Sequence, residues 1–276
     1  MQNRLLGAIV LLCSAAGAHA AAQHLLLKEV VVAPSPAEYV AIFNPGAAAV
    51  DLTNYYIADY ETYYLVVNAS SAPSAADFIA RFPSGAIIAP GETQYVSIGG
   101  AECFRSACAT IGAFTGYGVY PNYEILSATA ANNSVLVPDM LAPFSNAIGS
   151  THNLTNGGEP VTLLYWDGSS NLVVDVDYVY YGTPSVGSPA VNKTGVMVNG
   201  SSYLPDTSDS AATHAALSVG ITTFTCRRDF AQTGQTASGG NGVAGADETS
   251  EPTATTWGVC RYPIAPDRIF ADDFEG

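Results

Sequence analysis

The stretch EYVAIFNPGAAAVDLTNYYIAD, Glu38 to Asp59, decides the fold. In EYVAIF, Tyr39, Ala41 and Phe43 point one way along a strand and Val40 and Ile42 the other, so both faces are apolar. A strand with two apolar faces belongs in the middle of a sheet. Asn44-Pro45-Gly46 then makes a tight turn, because proline fixes φ and Asn and Gly tolerate positive values. NYYIAD and YYLVV come next as further strands.

Outward from this stretch the chain keeps the same grammar. Leu25 to Val32 (LLLKEVVV) is a preceding strand, set off by a Pro-Ser-Pro turn. PSAADFIARFP is predicted as a short helix, with Ser74 as N-cap, Asp77 three residues on and Pro83 as the stop. GAIIAPGETQYVSIG reads as strand, Pro90-Gly91 turn, strand. Residues 100–150 are irregular and form an elaborated loop. A hairpin then pairs Val161–Trp166 with Leu172–Tyr181 across Asp167-Gly168. Strict alternation in its second strand makes an apolar face of Leu172, Val174, Val176, Tyr178 and Tyr180 and turns Asp175 and Asp177 outward. SVGITTFTCRR and TTWGVCR supply the last strands. Eight to ten short strands with one helix predict an all-β, immunoglobulin-like antiparallel β-sandwich with long loops.

Composition agrees: 276 residues with 16 Tyr, 26 Gly, 16 Pro and only 12% charged residues are those of a turn-rich β protein with a sizeable core. Residues 1–20 read as a signal peptide, from Arg4, the apolar LLGAIVLLCSAAG and the small-x-small AHA, so a secreted or periplasmic protein is expected, associated with the cell surface. Leu12 before Cys13 argues against a lipobox. No later apolar run approaches the ~20 residues of a membrane helix. The sandwich is expected over 21–262 and a flexible tail over 263–276.

Removal of the leader leaves Cys103, Cys108, Cys226 and Cys260. An even count in an exported chain favours disulfides, with three pairings possible; Cys103 with Cys108 and Cys226 with Cys260 costs least in loop closure. CFRSAC lacks a second CxxC or paired histidines, which argues against zinc. A formal charge of −15, with only nine Lys and Arg, disfavours nucleic acid and anionic lipid as partners.

The ordered segments EYVAIFNPGAAAVDLTNYYIAD, FPSGAIIAPGETQYV, LTNGGEPVTLLYWDG, VVDVDYVYYG and RRDFAQTGQTASGGNGVAGADETSE…TTW resemble the lamin tail domain family, bacterial exported type, across Leu25 to Gly258. Ala41 and Tyr56 depart from the glutamate and tryptophan usual at those places. The resemblance implies an immunoglobulin-like sandwich that acts in binding and assembly rather than catalysis. The partner expected is a protein or glycan at the cell surface, and a calcium-stabilised adhesive or glycan-binding module is an alternative.

GxSxG, HExxH, Walker and EF-hand patterns are absent. GGNGVAGADETSE, Gly239 to Glu251, has the glycines of a phosphate loop but neither its lysine nor its charge. Its acids Asp247, Glu248 and Glu251 are candidate calcium ligands, the rival reading being a solvated acidic loop stapled between Cys226 and Cys260. Calcium is the only cofactor the sequence suggests. Asp175 and Asp177, two apart on one strand, suit a secreted hydrolase that uses surface carboxylates, against a plain solvated face. His24 is expected on a frayed terminus and His152 and His214 on polar turns. The tyrosines of NYYIADYETYY suit either a sugar-stacking platform or packing. Asp206 and Asp209 read as turn residues, and Arg228 with Asp229 as pins of the late strand.

Overall fold

The structure, a computed structural model, describes residues 24–69, 73–108, 112, 114–210 and 213–262; the expected leader and tail lie outside them. Among the described residues the strands are β1 (Leu26–Val31), β2 (Tyr39–Phe43), β3 (Val50–Asp51), β4 (Tyr55–Ala58), β5 (Ile79–Arg81), β6 (Ile87–Ile88), β7 (Thr93–Ser97), β8 (Tyr123–Glu124), β9 (Gly158–Tyr165), β10 (Val174–Gly182), β11 (Met197–Val198), β12 (Ser201–Ser202), β13 (His214–Ala215), β14 (Thr223–Arg227) and β15 (Trp257–Arg261). A six-stranded sheet in the order β15-β14-β1-β2-β7-β8 faces a five-stranded sheet in the order β13-β10-β9-β4-β5. Pairing is antiparallel except at two sheet edges, where β8 joins β7 and β13 joins β10 in parallel. The expected β-sandwich is what forms.

The two-faced strand EYVAIF sits where its sequence requires, between β1 and β7. Val40 and Ile42 enter the core between the sheets with Val30, Ile57, Val161, Leu163 and Val179. Tyr39 and Ala41 enter a second cluster on the outer face, beneath α1 (Ala101–Ser106), with Tyr95, Phe104 and Tyr117. The five-stranded sheet is likewise covered on its outer face, where Tyr56, Tyr63, Tyr64, Tyr180 and Tyr203 pack together. Four of these five come from the Tyr-rich stretch or its hairpin neighbour, so burial rather than display absorbs most of the aromatic content.

Two local expectations are corrected. The helix predicted in PSAADFIARFP is absent: the Ser74–Asp77 turn forms, with the Ser74 N–H donating to Asp77 Oδ2 at 2.9 Å, but it delivers the chain into β5. There Phe78 and Ala80 face the inter-sheet core while Ile79 faces the outer cluster, a period of two that tertiary burial imposes over local capping. YYLVV is a 3-10 helix, Tyr63–Asn68, whose first residue is wholly buried. The expected hairpin is present as β9 and β10, although its second strand carries a bulge between Asp175 and Asp177. Both least-cost disulfides are formed, Cys103–Cys108 and Cys226–Cys260.

Candidate functional site

The bulge decides the fate of the two aspartates. With one extra residue in β10, Asp175 pairs in register with Leu164 and Asp177 with Leu163, so residues two apart point to opposite faces. Neither is on the surface, at 2% and 0% exposure, which corrects the expected outward pair. Asp175 enters the outer cluster, accepts the Tyr63 hydroxyl at 2.6 Å and lies 2.9 Å from Lys193 Nζ. Asp206, expected as a turn residue, lies 3.0 Å from the same ammonium, whose side chain is fully buried. Burial draws the Lys193 proton affinity down, but the two carboxylates outweigh it and hold the amine charged.

Asp177 points between the sheets. Arg227 of β14 reaches it from the opposite sheet, with Nη2 2.7 Å from both of its oxygens, and Asp177 Oδ2 also accepts the Leu27 N–H at 2.6 Å. The same guanidinium donates through Nη1 to Glu251 at 2.6 Å and through Nε to the Leu27 carbonyl at 2.8 Å, and it lies over the Trp257 ring. Every edge of the arginine is occupied, the condition under which a buried charge is tolerable.

GGNGVAGADETSE connects these two centres. Gly242 forms a parallel bridge with Asp175, Asn241 Nδ2 donates to Asp206 at 3.1 Å, and Glu251 closes on Arg227. The glycines serve close approach: a Cβ on Gly240 would stand 2.4 Å from the Ala246 carbonyl oxygen, and one on Gly242 would stand 2.7 Å from Glu248 Oε1. Contrary to a solvated acidic loop, Asp247, Glu248 and Glu251 are 8%, 1% and 1% exposed. Asp247 Oδ2 accepts the Thr207 hydroxyl and its Oδ1 caps Thr249, while Glu248 Oε2 accepts from Gln232. Burial, followed by the charge on Asp177, holds Glu248 well above the ordinary carboxylate range. Among the described residues, no three His, Cys, Asp or Glu side chains are grouped to hold a metal ion.

Glu38 and Asp59, at the two ends of the opening motif, and Glu159 of β9 act as further ties. Glu38 accepts the Leu154 N–H at 2.8 Å, Asp59 the Phe78 N–H at 2.6 Å, and Glu159 the Thr155 N–H and the Tyr181 hydroxyl, both at 2.7 Å. Burial pushes Glu38 up to about 8 and Glu159 to about 7. The histidines are also placed. His24 is half-buried with its proton affinity lowered first by burial and then by Arg227, so it is not frayed. His152 bonds the Gly149 and Ile98 carbonyls, and His214 meets Asp209 at 2.5 Å. Tyr56, Tyr60, Tyr63 and Tyr64 are buried, so the stretch offers packing rather than a sugar platform. Arg228 reaches the Val259 carbonyl at 2.9 Å, and Asp229 caps Ala231 and Thr233.

Sequence reasoning missed a surface groove with room for a ligand. On the outer face of the six-stranded sheet, beside the cluster that holds Phe224 and Cys226, a groove of about 790 Å³ opens across β2, β1, β14 and β15. Its floor is Glu29 and the Cys226–Cys260 disulfide; its rim carries Lys28, Phe43, Phe230, Arg228 and Arg261. Lys28 Nζ stands 5.3 Å over the Phe43 ring, and Phe43 meets Phe230 edge to face at 5.3 Å. The missed signal was the pairing of scarce cations in CRRDF and GVCRY at the two ends of one expected disulfide.

This architecture is that of an immunoglobulin-like β-sandwich. The Lamin Tail Domain family matches residues 18–182, more than half of the chain, and the chain belongs to that family. The late segment 227–257 that resembles it in sequence lies beyond the matched span. A search of curated proteins found no match. Among solved structures, a DUF4876 family protein from Bacteroides thetaiotaomicron is similar at 14% identity and a TM-score of 0.47, over 85% of this chain and 70% of that one.

Proposed function

We propose that the chain is an exported, non-catalytic lamin-tail module that binds a protein or glycan partner at or beyond the cell surface, with a leader over 1–20, the sandwich over 21–262 and a tail over 263–276. The observation that carries this reading is the disposition of its polar chemistry. Asp175 and Asp177, the pair a hydrolase would need in a cleft, are consumed by Lys193 and Arg227 inside the fold, whereas the open groove displays cations and phenylalanines around a single buried acid, Glu29, that is tied to the Tyr39 hydroxyl. Two disulfides support an oxidising compartment, and no described helix is long and apolar enough to cross a membrane.

The test is a pull-down of envelope and secreted fractions on the immobilised protein, beside a glycoside and phosphodiester turnover assay. Retention of a discrete component without turnover is expected. Turnover abolished by Asp175→Asn in a folded variant would contradict the reading.

A further inference from the structure

Of the seven Lys and Arg among the described residues, four line the groove: Lys28, Arg227, Arg228 and Arg261. Arg227 is spent internally on Asp177 and Glu251. Arg228 uses one N–H on the Val259 carbonyl, and Arg261, exposed on β15, makes no ion pair among the described residues. A chain of formal charge −15 thus presents a local concentration of positive charge at one cleft that also carries Phe43 and Phe230. Such a site draws in an anionic group that the rest of the surface repels.

Resting on the binding reading above, we propose that this groove binds an acidic peptide segment that carries a phenylalanine or similar apolar side chain. The groove crosses four neighbouring strands, three spacings of ~4.8 Å, which gives about 14 Å, room for about four extended residues. Arg228 and Arg261 meet carboxylates at one side, and Phe43 with Phe230 receives the apolar side chain at the other. Glu29 on the floor is buried and accepts the Tyr39 hydroxyl at 2.7 Å, so carboxylates are held at the rim, away from the centre.

Geometry favours a peptide over other anions. A neutral sugar leaves Arg228 and Arg261 without an anionic partner, and a sugar acid supplies carboxylates but no apolar side chain to set against Phe43 and Phe230, all four of which line the groove. A nucleic acid brings a charge at every unit into the field of an acidic protein and finds few cations to neutralise it.

The experiment is fluorescence anisotropy of the full chain with a labelled hexapeptide that alternates glutamate and phenylalanine. Saturable binding is expected, at least tenfold weaker when glutamine replaces glutamate in the probe, when salt is raised, and in Arg261→Glu. Arg261 is exposed, so this variant tests charge without disturbing the fold; Arg228→Glu is a second, with its melting temperature as control. Absence of binding, equal affinity for the glutamine probe, or displacement by oligogalacturonate in preference to unlabelled peptide would overturn the proposal. Capture of an envelope partner undiminished in Arg261→Glu would remove the groove and leave the binding module standing.

Discussion

Asp177 of β10 and Arg227 of β14 meet across the interior of the sandwich, Nη2 lying 2.7 Å from both carboxylate oxygens with neither side chain exposed. The contact joins the two sheets at a point where an apolar core would have been expected. It also fixes the late segment, because the same guanidinium holds Glu251.

Removing one partner leaves the other buried and unmatched, a loss of about 3–5 kcal/mol in comparable cases. Asp177→Asn is expected to lower the urea unfolding midpoint by an amount of that order. Arg227→Lys is expected to destabilise as well, since an ammonium cannot span Asp177, Glu251 and the Leu27 carbonyl together.

Stability should fall as pH rises through neutrality. Glu38 and Glu159 have folded-state values raised to about 8 and about 7, first by burial, so the folded state holds protons that the unfolded chain releases near its ordinary carboxylate pKa. Their contribution is complete below that unfolded value and is lost up to about pH 8. Thermal melts should give a lower midpoint at pH 8.5 than at pH 5.5. Glu38→Gln should flatten the slope.

The disulfides should contribute unequally. Cys226–Cys260 closes a separation of 34 residues and Cys103–Cys108 one of 5. Chain entropy assigns about 4 kcal/mol to the first and about 2 kcal/mol to the second. Paired Cys→Ala substitutions compared by urea unfolding should preserve that order.

The glycines of GGNGVAGADETSE should differ among themselves. Gly240→Ala sets a Cβ against backbone at 2.4 Å, whereas at Gly239, with φ of 89°, nothing lies within 4 Å and only backbone strain opposes alanine. Gly240→Ala should be the more destabilising by about 1–3 kcal/mol. Because Asp247, Glu248 and Glu251 are buried and turned to protein partners, calcium and EDTA should leave the melting midpoint alike.

Much of the sandwich was legible because its signals are local. Two apolar faces placed β2 at the centre, and Asp167-Gly168 located the β9–β10 turn. The ties were illegible for a physical reason. Alternation alone sets Asp175 and Asp177 on one face, and a bulge, defined by the partner strand's register, reverses one of them. Arg227 alternates with Thr223 and Thr225, residues that read as a solvent face, although Thr225 and Arg227 are buried. Ser74 and Asp77 gave a true turn signal, but the conformation of the chain after that turn depends on Asp59, Leu141 and Ala147 from remote segments.

The most direct test of Asp177 as an inter-sheet tie rather than a reactive carboxylate is a double-mutant cycle on Asp177→Leu and Arg227→Met, read by urea unfolding. The buried contact, with Nη2 on both carboxylate oxygens, predicts a coupling of about 2 kcal/mol or more, with the double variant less destabilised than the sum of the single ones. Additive effects, with coupling near zero, would contradict it.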